Sequence, residues 1–369
     1  MNEFSLLFPN FSSGADLWET LAGEKRPVVV YGMGNGADKL FSRLAALGVP
    51  VADVVASDGF VRGQSFHGMR VRSFSEVLTA HPDAVFLVSF GTGREDVLSF
   101  IEKLQKEHPL YIPDMPLVGD EWFDRAFCLR HEGELHAALS LFSDETSRRT
   151  FLSVLRGRLS GRFDDLMAET AAVADIYGTV GTSVRTVVDL GAYNGDTVRE
   201  AAGYFPDLSV AVAVEPDGKT YRKLSAYAAG ETRFFVRPVH AAAWHASGTG
   251  TLHGSDNRNS SLAAASFRHT DADVSLVTVD ELCLDLSVDY IKYDVEGAER
   301  EALLGSLGTI GCCRPTLRVS LYHRSADLFS LPLFLAEKFP FYRFFLRRKR
   351  CLPAWELDLI ARPERKESV

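Results

Sequence analysis

Val187-Val188-Asp189-Leu190-Gly191-Ala192-Tyr193-Asn194-Gly195 is an apolar run that breaks into a glycine-rich turn. The same pattern occurs earlier, as Val28-Val29-Val30-Tyr31-Gly32-Met33-Gly34-Asn35-Gly36. Gly191 follows Gly32 by 159 residues, and Gly195 follows Gly36 by the same 159. A strand passing through a glycine turn into a helix opens a nucleotide-binding α/β domain. The spacing therefore predicts two such domains in tandem rather than a short-period repeat. A chain of 369 residues fits that count, at roughly 100–200 residues per domain.

Around the first turn the sequence predicts a strand at 27–31, a helix from about 36 to 47, a strand at 51–56, a turn near Gly59 and a strand at 84–89. Strands alternating with helices imply a parallel sheet. From Pro113 to about Tyr177 the pattern turns helical, with Leu135, Leu139 and Phe142 on one face and Phe151, Leu152, Leu155, Leu159 and Phe163 following. This stretch reads as a connector that could also serve as a lid over the second domain's ligand. The second domain restarts near Val184, with strands near 185–190, 209–215, 232–239, 274–279, 288–294 and 316–322 and a Gly/Ser-rich hairpin around Gly248 and Gly250. Phe341–Leu346 and Trp355–Ile360 read as a closing hairpin. Its tip, Arg347-Arg348-Lys349-Arg350, is expected in solvent. The expected boundaries are 1–115, 116–180 and 181–369.

Composition narrows the partners. Hydrophobic residues at 46% supply sizeable cores, and a net charge of -9 argues against a nucleic-acid footprint. The five cysteines form no C-x-x-C spacing and no paired framework, which predicts a reduced, cytoplasmic protein without structural zinc. Met1-Asn2-Glu3-Phe4-Ser5 lacks the basic start of a signal peptide. Leu331–Leu346 is interrupted by Glu337, Lys338 and Arg343, so no transmembrane segment and a soluble chain are expected.

The chemistry concentrates in the second domain. Gly191 and Gly195 let the turn pass close beneath a ligand, and Asp189 at the strand end is a candidate acceptor for a ligand amine. Glu215 ends the next strand, ahead of Pro216-Asp217, where a carboxylate accepts both hydroxyls of a ribose. Asp189 and Asp196 would repel a pyrophosphate. The turn therefore suits S-adenosylmethionine, cationic and free of phosphate, better than NAD. Downstream, Val288-Asp289-Tyr290-Ile291-Lys292-Tyr293-Asp294-Val295-Glu296-Gly297-Ala298-Glu299 offers Lys292, Asp294 and Glu296 at the carboxyl end of a buried strand, one of them a candidate general base.

These motifs resemble, in order, those of the FkbM-type S-adenosylmethionine-dependent methyltransferases. They are Asp189-x-Gly191-Ala192-x-Asn194-Gly195-Asp196-Thr197, Glu215-Pro216-Asp217, Thr278-Val279-Asp280-Glu281-Leu282 and Lys292-x-Asp294-Val295-Glu296-Gly297-Ala298-Glu299. Pro238–Ala243, Ser260-Ser261, Leu321-Tyr322-His323 and Asp327-Leu328 extend the likeness over about Arg185 to Arg362, with a weaker echo at Leu141–Arg148. Tyr193 and Tyr293 stand where aliphatic residues are more usual. The tandem turns predict an α/β fold of two Rossmann-like domains, and the resemblance implies that the second is a class-I methyltransferase sheet, mostly parallel with a C-terminal antiparallel hairpin. It implies an enzyme that moves a methyl group from S-adenosylmethionine to a hydroxyl, on sugars or on natural products in the family and expected here on a sugar in polysaccharide or glycoconjugate biosynthesis. The residues implied for the methyl donor are Asp189, Gly191, Ala192, Asn194, Gly195, Asp196, Thr197, Glu215, Pro216, Ala241 and Ala242.

Catalysis is expected from His323, Asp294, Lys292 and Glu296. His323, whose ordinary pKa suits neutral base catalysis, and Asp294 are the candidates to take the acceptor's proton. Lys292 either steadies the alkoxide or pairs with a carboxylate, and Glu296 has the bland alternative of a helix N-terminal carboxylate. Asp294, Glu296, His323 and Asp327 would be the residues to hold a divalent metal, but no dense ligand spacing compels one, and no metal is expected.

Gly32-x-Gly34-x-x-Ala37, with Asp58 further on, meets the dinucleotide fingerprint with alanine in third place. The first domain also resembles the N-terminal domains of PglD-type sugar O-acyltransferases, through Gly59, Gly63, Gly68-Met69-Arg70-Val71 and the strand ending at Ser89. A nucleotide or nucleotide-sugar there, or a degenerate module for subunit contact and a homo-oligomer, are both open readings. The rival functions are an NAD(P)- or nucleotide-sugar-binding enzyme run from this first turn, and a scaffold that binds without turnover. The acceptor pocket is expected from loops around Ser260 and Arg324.

Overall fold

The computed structural model describes residues 15–252 and 272–364. Met1–Ser5 and Ser260-Ser261 lie outside the described residues.

The first sheet contains β1 (Val28–Tyr31), β2 (Val51–Val55), β3 (Ser65–Phe66), β4 (Met69–Arg72), β5 (Val85–Val88) and β6 (Leu110–Tyr111), in the order β3-β4-β2-β1-β5-β6. Only β3 runs antiparallel to its neighbour. β1 and β5 are buried at every position, because helices cover both faces of a parallel sheet, and so they read as unbroken apolar runs. The helix Asn35–Ala46 follows β1 directly and buries Ala37, Leu40 and Leu44, a 3-4 spacing that points one face at the sheet.

The predicted helical stretch forms five helices, Arg125–Arg130, Glu132–Leu141, Glu145–Ser160, Phe163–Met167 and Val173–Val180. Asp124 and Asp144 cap the first and third, accepting from the backbone N–H groups of Phe127 and Ser147. One continuous apolar core takes in Val29 and Phe86 of the first sheet, Phe142, Phe151 and Leu155 of the connector, and residues of the second sheet such as Leu317. The connector therefore joins the two sheets. No residue of these five helices lines either of the two cavities described below.

The second sheet contains β7 (Thr186–Leu190), β8 (Val210–Val214), β9 (Phe235–Val239), β13 (Tyr290–Tyr293), β14 (Thr316–Ser320), β15 (Tyr342–Arg348) and β16 (Leu357–Pro363). Its order is β15-β16-β14-β13-β7-β8-β9, parallel throughout except that β16 runs antiparallel between β14 and β15. This is the predicted class-I sheet with its closing hairpin. β10 (Ala242–Ala243), β11 (Gly248–Leu252) and β12 (Ala272–Val277) form a separate small sheet, which takes the strand predicted at 274–279 away from the main one.

The basic hairpin tip faces solvent only in part, through the exposed Arg350. Arg348 is fully buried and donates to the carbonyl of Leu166. Arg347 pairs with Asp144 at 2.7 Å, and Arg350 reaches Glu95 of the first domain at 2.7 Å. The rest of the tip is covered because the connector and first domain pack on it: Thr92 and Leu352 exchange backbone hydrogen bonds of 2.7 and 2.9 Å. A Cβ on Gly91 would fall 1.9 Å from the Trp355 ring.

Candidate active site

A cavity of about 360 Å³ opens at the carboxyl ends of β7, β8 and β13. Gly191 forms its floor with φ +79, and a Cβ there would stand 1.9 Å from the carbonyl oxygen of Asp294. The turn can therefore lie flat against the end of β13 only without a side chain. Two other wall residues, Tyr193 (φ 49) and Glu296 (φ 52), also hold left-handed backbone, a strained conformation that side-chain-bearing residues keep where the surroundings enforce it.

Eight carboxylates line the cavity, among them Asp196, Glu215, Asp217, Asp294 and Glu296, against three cations, Lys292, Arg318 and Lys349. Such a wall attracts a cation and repels a polyphosphate. Glu215 Oε2 accepts from the backbone N–H of Tyr193 and its Oε1 from that of Asp217, both at 2.9 Å. Burial pushes its pKa up to about 7 against those donors. The two bonds fix the carboxylate's plane and leave a second lone pair on each oxygen.

Of the predicted donor residues, Gly191, Asp196, Thr197, Glu215, Pro216, Ala241 and Ala242 line this cavity, while Asp189, Ala192, Asn194 and Gly195 do not. Asp189 is fully buried beneath the turn, its Oδ1 3.6 Å from Lys292 Nζ. Neither Asp189 oxygen has a hydrogen-bond partner. Burial pushes its pKa up to about 6 against the pull of Lys292. Asn194 Oδ1 is likewise buried and unpartnered, and Gly195 caps the helix Asp196–Ala202.

At the other end of the cavity, side chains from β13, β14 and the segments that follow them converge. Asp294 Oδ1 accepts from Ser320 Oγ (2.8 Å) and Tyr322 OH (2.9 Å), and Oδ2 from Lys292 Nζ (3.0 Å). Burial alone would raise Asp294, but Lys292, His323 and these donors hold it well below the usual carboxylate range. Burial also opposes the charge on Lys292, and Asp294 and Asp189 overcome it. His323 is 1% exposed. Its Nδ1 is 2.9 Å from Glu299 Oε1, and its Nε2 lies 3.5 Å from Glu296 Oε2 and 3.7 Å from Asp294 Oδ1. Burial works against an imidazolium, but Glu299, Glu296 and Asp294 together push its pKa up to about 10. At neutral pH His323 therefore carries its proton, which differs from the titrating base that its ordinary pKa suggests.

Glu296 has the opposite character. Its side chain keeps 34% exposure. Burial pushes its pKa up to about 8, opposed by His323 and reinforced by Asp294 and Glu299. Of the cavity-lining carboxylates, Glu215 and Glu296 are both pushed up toward neutral pH, and of these two Glu296 is the one beside His323. Lys292 has the ion-pair role, between Asp294 and Asp189. Asp294, Glu299 and His323 bring one ligand-type atom each within 4.8 Å of one another. The donors on Asp294, the Val295 N–H on Glu299 Oε1 (2.9 Å) and the charge on His323 make this an ion-pair cluster. Asp327 stands apart from that trio, its Oδ2 accepting from the Arg324 N–H at 2.9 Å.

Glu299, Tyr322 and Glu356 have no role in the sequence reading. Glu299 stands in the quoted motif three residues past Glu296, and Tyr322 beside His323, so proximity to a motif was the available signal. Glu356 has none, because only the folded hairpin brings it to the cavity wall.

Residues 189–351 match the family model described as the Methyltransferase FkbM domain. The chain is similar to the crystal structure of methyltransferase FkbM from Methylobacillus flagellatus KT, at 20% identity and a TM-score of 0.68, over 97% of this chain and 96% of that one. The two-domain fold is thus shared along its whole length. A precorrin-6y C5,15-methyltransferase from Geobacter metallireducens GS-15 is similar at 13% identity and a TM-score of 0.33, over 55% of this chain and 96% of that one. An rRNA methylase from Streptococcus thermophilus is similar at 11% identity and a TM-score of 0.33, over 53% and 100%. No curated protein matches the sequence. None of these similarities concerns sugar O-acyltransferases. Among the described residues, no helix is long and apolar enough to cross a membrane.

Proposed function

We propose that the protein transfers a methyl group from S-adenosylmethionine to a hydroxyl, of a sugar destined for a polysaccharide or glycoconjugate. The observation that carries this reading is the carboxylate-rich cavity over Gly191, inside the segment that matches the methyltransferase family. The donor is supported by Glu215, whose carboxylate lines the cavity and is fixed by two backbone N–H groups, and by Gly191, whose missing side chain lets the turn close on Asp294 and form the cavity floor. Gly191, Thr197, Glu215 and Ala242 would hold it. When bound, it supplies an electrophilic carbon on a sulfonium.

This chain's residues then position the acceptor and take its proton. Glu296 is the general base: its carboxylate is partly exposed, faces the cavity and is raised toward the working pH. His323, fixed by Glu299, holds a positive charge beside Glu296 and balances the developing alkoxide. Lys292 and Tyr322 pin Asp294, which in turn holds His323 and Lys292 in place.

Isothermal titration with S-adenosylmethionine and S-adenosylhomocysteine tests the reading. Micromolar binding that disappears when Asp189 and Glu215 are both replaced by alanine supports it. Unchanged affinity in that double variant refutes it.

A further inference from the structure

A second cavity, of about 510 Å³, lies between the two domains. Its first-domain wall is the turn Met33–Gly36 with Lys39 and the loop Ser89–Gly93, at the carboxyl ends of β1 and β5. These strands are neighbours, yet the chain visits β2, β3 and β4 between them on the other side of β1. Such a reversal is where open α/β sheets bind ligands. The second-domain wall includes Glu296, Tyr322, His323 and Glu356. Glu296, Tyr322 and Glu356 line the donor cavity as well, so the two cavities meet at the proposed base.

Charge is distributed unevenly around this space. Among the described residues, the first-domain wall holds no carboxylate and one cation, Lys39. Its Nζ donates to the carbonyls of Pro116 and Leu117, and burial disfavours its charge while nearby Asp120 supports it. The helix Asn35–Ala46 turns its N-terminus to the cavity, and Gly34 brings no capping side chain, which leaves the positive end of the helix dipole uncovered. On the opposite wall stand the carboxylates Glu296 and Glu356, with His323 buried beside Glu296, its Nε2 3.5 Å from Glu296 Oε2. An occupant of this cavity would therefore meet cationic and N–H donors at one end and a proton acceptor at the other.

We infer that the interdomain cavity binds the methyl acceptor, and that the acceptor is a phosphorylated sugar whose phosphate sits at the Gly34–Lys39 turn while its hydroxyl faces Glu296. This rests on the methyl-transfer reading and adds the class and place of the acceptor. The eight carboxylates of the donor cavity exclude a phosphate from that side, so each substrate has its own chamber.

The test is calorimetry on the full chain with UDP-glucose, glucose 1-phosphate and glucose, each with and without S-adenosylhomocysteine. At least one phosphorylated sugar binds and glucose does not; which one binds separates a nucleotide-sugar from a simple sugar phosphate. Lys39→Gln, which keeps a donor and removes the charge, weakens that binding by about tenfold or more, while S-adenosylhomocysteine binds as before. Gly34→Asp abolishes it; should that variant not fold by circular dichroism, Lys39→Gln decides. Failure of both phosphorylated sugars to bind, or equal binding in wild type and Lys39→Gln, overturns the inference and leaves the methyl-transfer reading intact. Failure of S-adenosylhomocysteine to bind wild type refutes that reading, and the acceptor role falls with it even if a sugar phosphate binds at the turn.

Discussion

Two turns with identical glycine spacing make different ligand mouths. In the first domain the helix starts at Asn35, three residues after Gly32, and its N-terminus points straight into a cavity. In the second the helix starts at Asp196, five residues after Gly191, and the extra length lifts Tyr193 into left-handed backbone, where its N–H holds Glu215. One mouth is a helix N-terminus with a lysine one turn in; the other is a loop ringed by carboxylates. Spacing alone predicts the strand-turn-helix, and the point at which the helix begins decides which sign of charge the turn can face.

Several substitutions break or sharpen this contrast. The largest effect is expected from Glu296→Gln, which removes the proton acceptor in the wall common to both cavities. Transfer of labelled methyl should fall by about 10²–10⁴-fold, with calorimetric affinity for S-adenosylhomocysteine nearly unchanged; unaltered turnover would move the base elsewhere. Gly191→Ala drives a Cβ against the Asp294 carbonyl at positive φ. It should weaken S-adenosylhomocysteine binding by more than tenfold and cost about 1–3 kcal/mol in denaturant unfolding.

Gly36→Ala is its counterpart, since a Cβ would stand 2.0 Å from Ser89 O. It should spare the donor and lose the phosphorylated sugar, and equal losses of both ligands would mean that the turns are not independent. In a pH series, methyl transfer should rise as Glu296 loses its proton near pH 8. Asp294, Glu299, Lys292 and His323 surround Glu296, and His323 stays protonated until about pH 10. A profile that is flat from pH 6 to 9 would exclude Glu296 as the base. The smallest effect is expected from Arg350→Ala. Its ion pair with Glu95 is solvent-exposed, 41% and 67% for the two side chains, so the loss should stay near 0–1 kcal/mol by thermal unfolding.

Much of the fold was legible because the parallel strands are buried on both faces and read as apolar runs: 28–31, 186–190 and 290–293 emerge within a residue or two of expectation. The basic run 347–350 misled because Arg347 and Arg350 pair with Asp144 and Glu95 and Arg348 is buried against the Leu166 carbonyl, partners far away in sequence. Site residues were legible by type but less so by state. His323 resembles a base until Glu299, Glu296 and Asp294 are found around it, and Asp189 resembles a wall residue until the turn is seen to cover it. Glu356 carried no signal, since its place depends on how the hairpin folds back over β14.

The side chains common to both chambers, Glu296, Tyr322 and Glu356, all belong to the second domain, whereas Gly34 and Lys39 belong to the first. Under the proposed reading, donor handling and proton removal are housed in one module, and choice of recipient in another. Grafting a different first domain onto the same Thr92–Leu352 seam would then redirect the methyl group to a new recipient with the donor chamber left as it is.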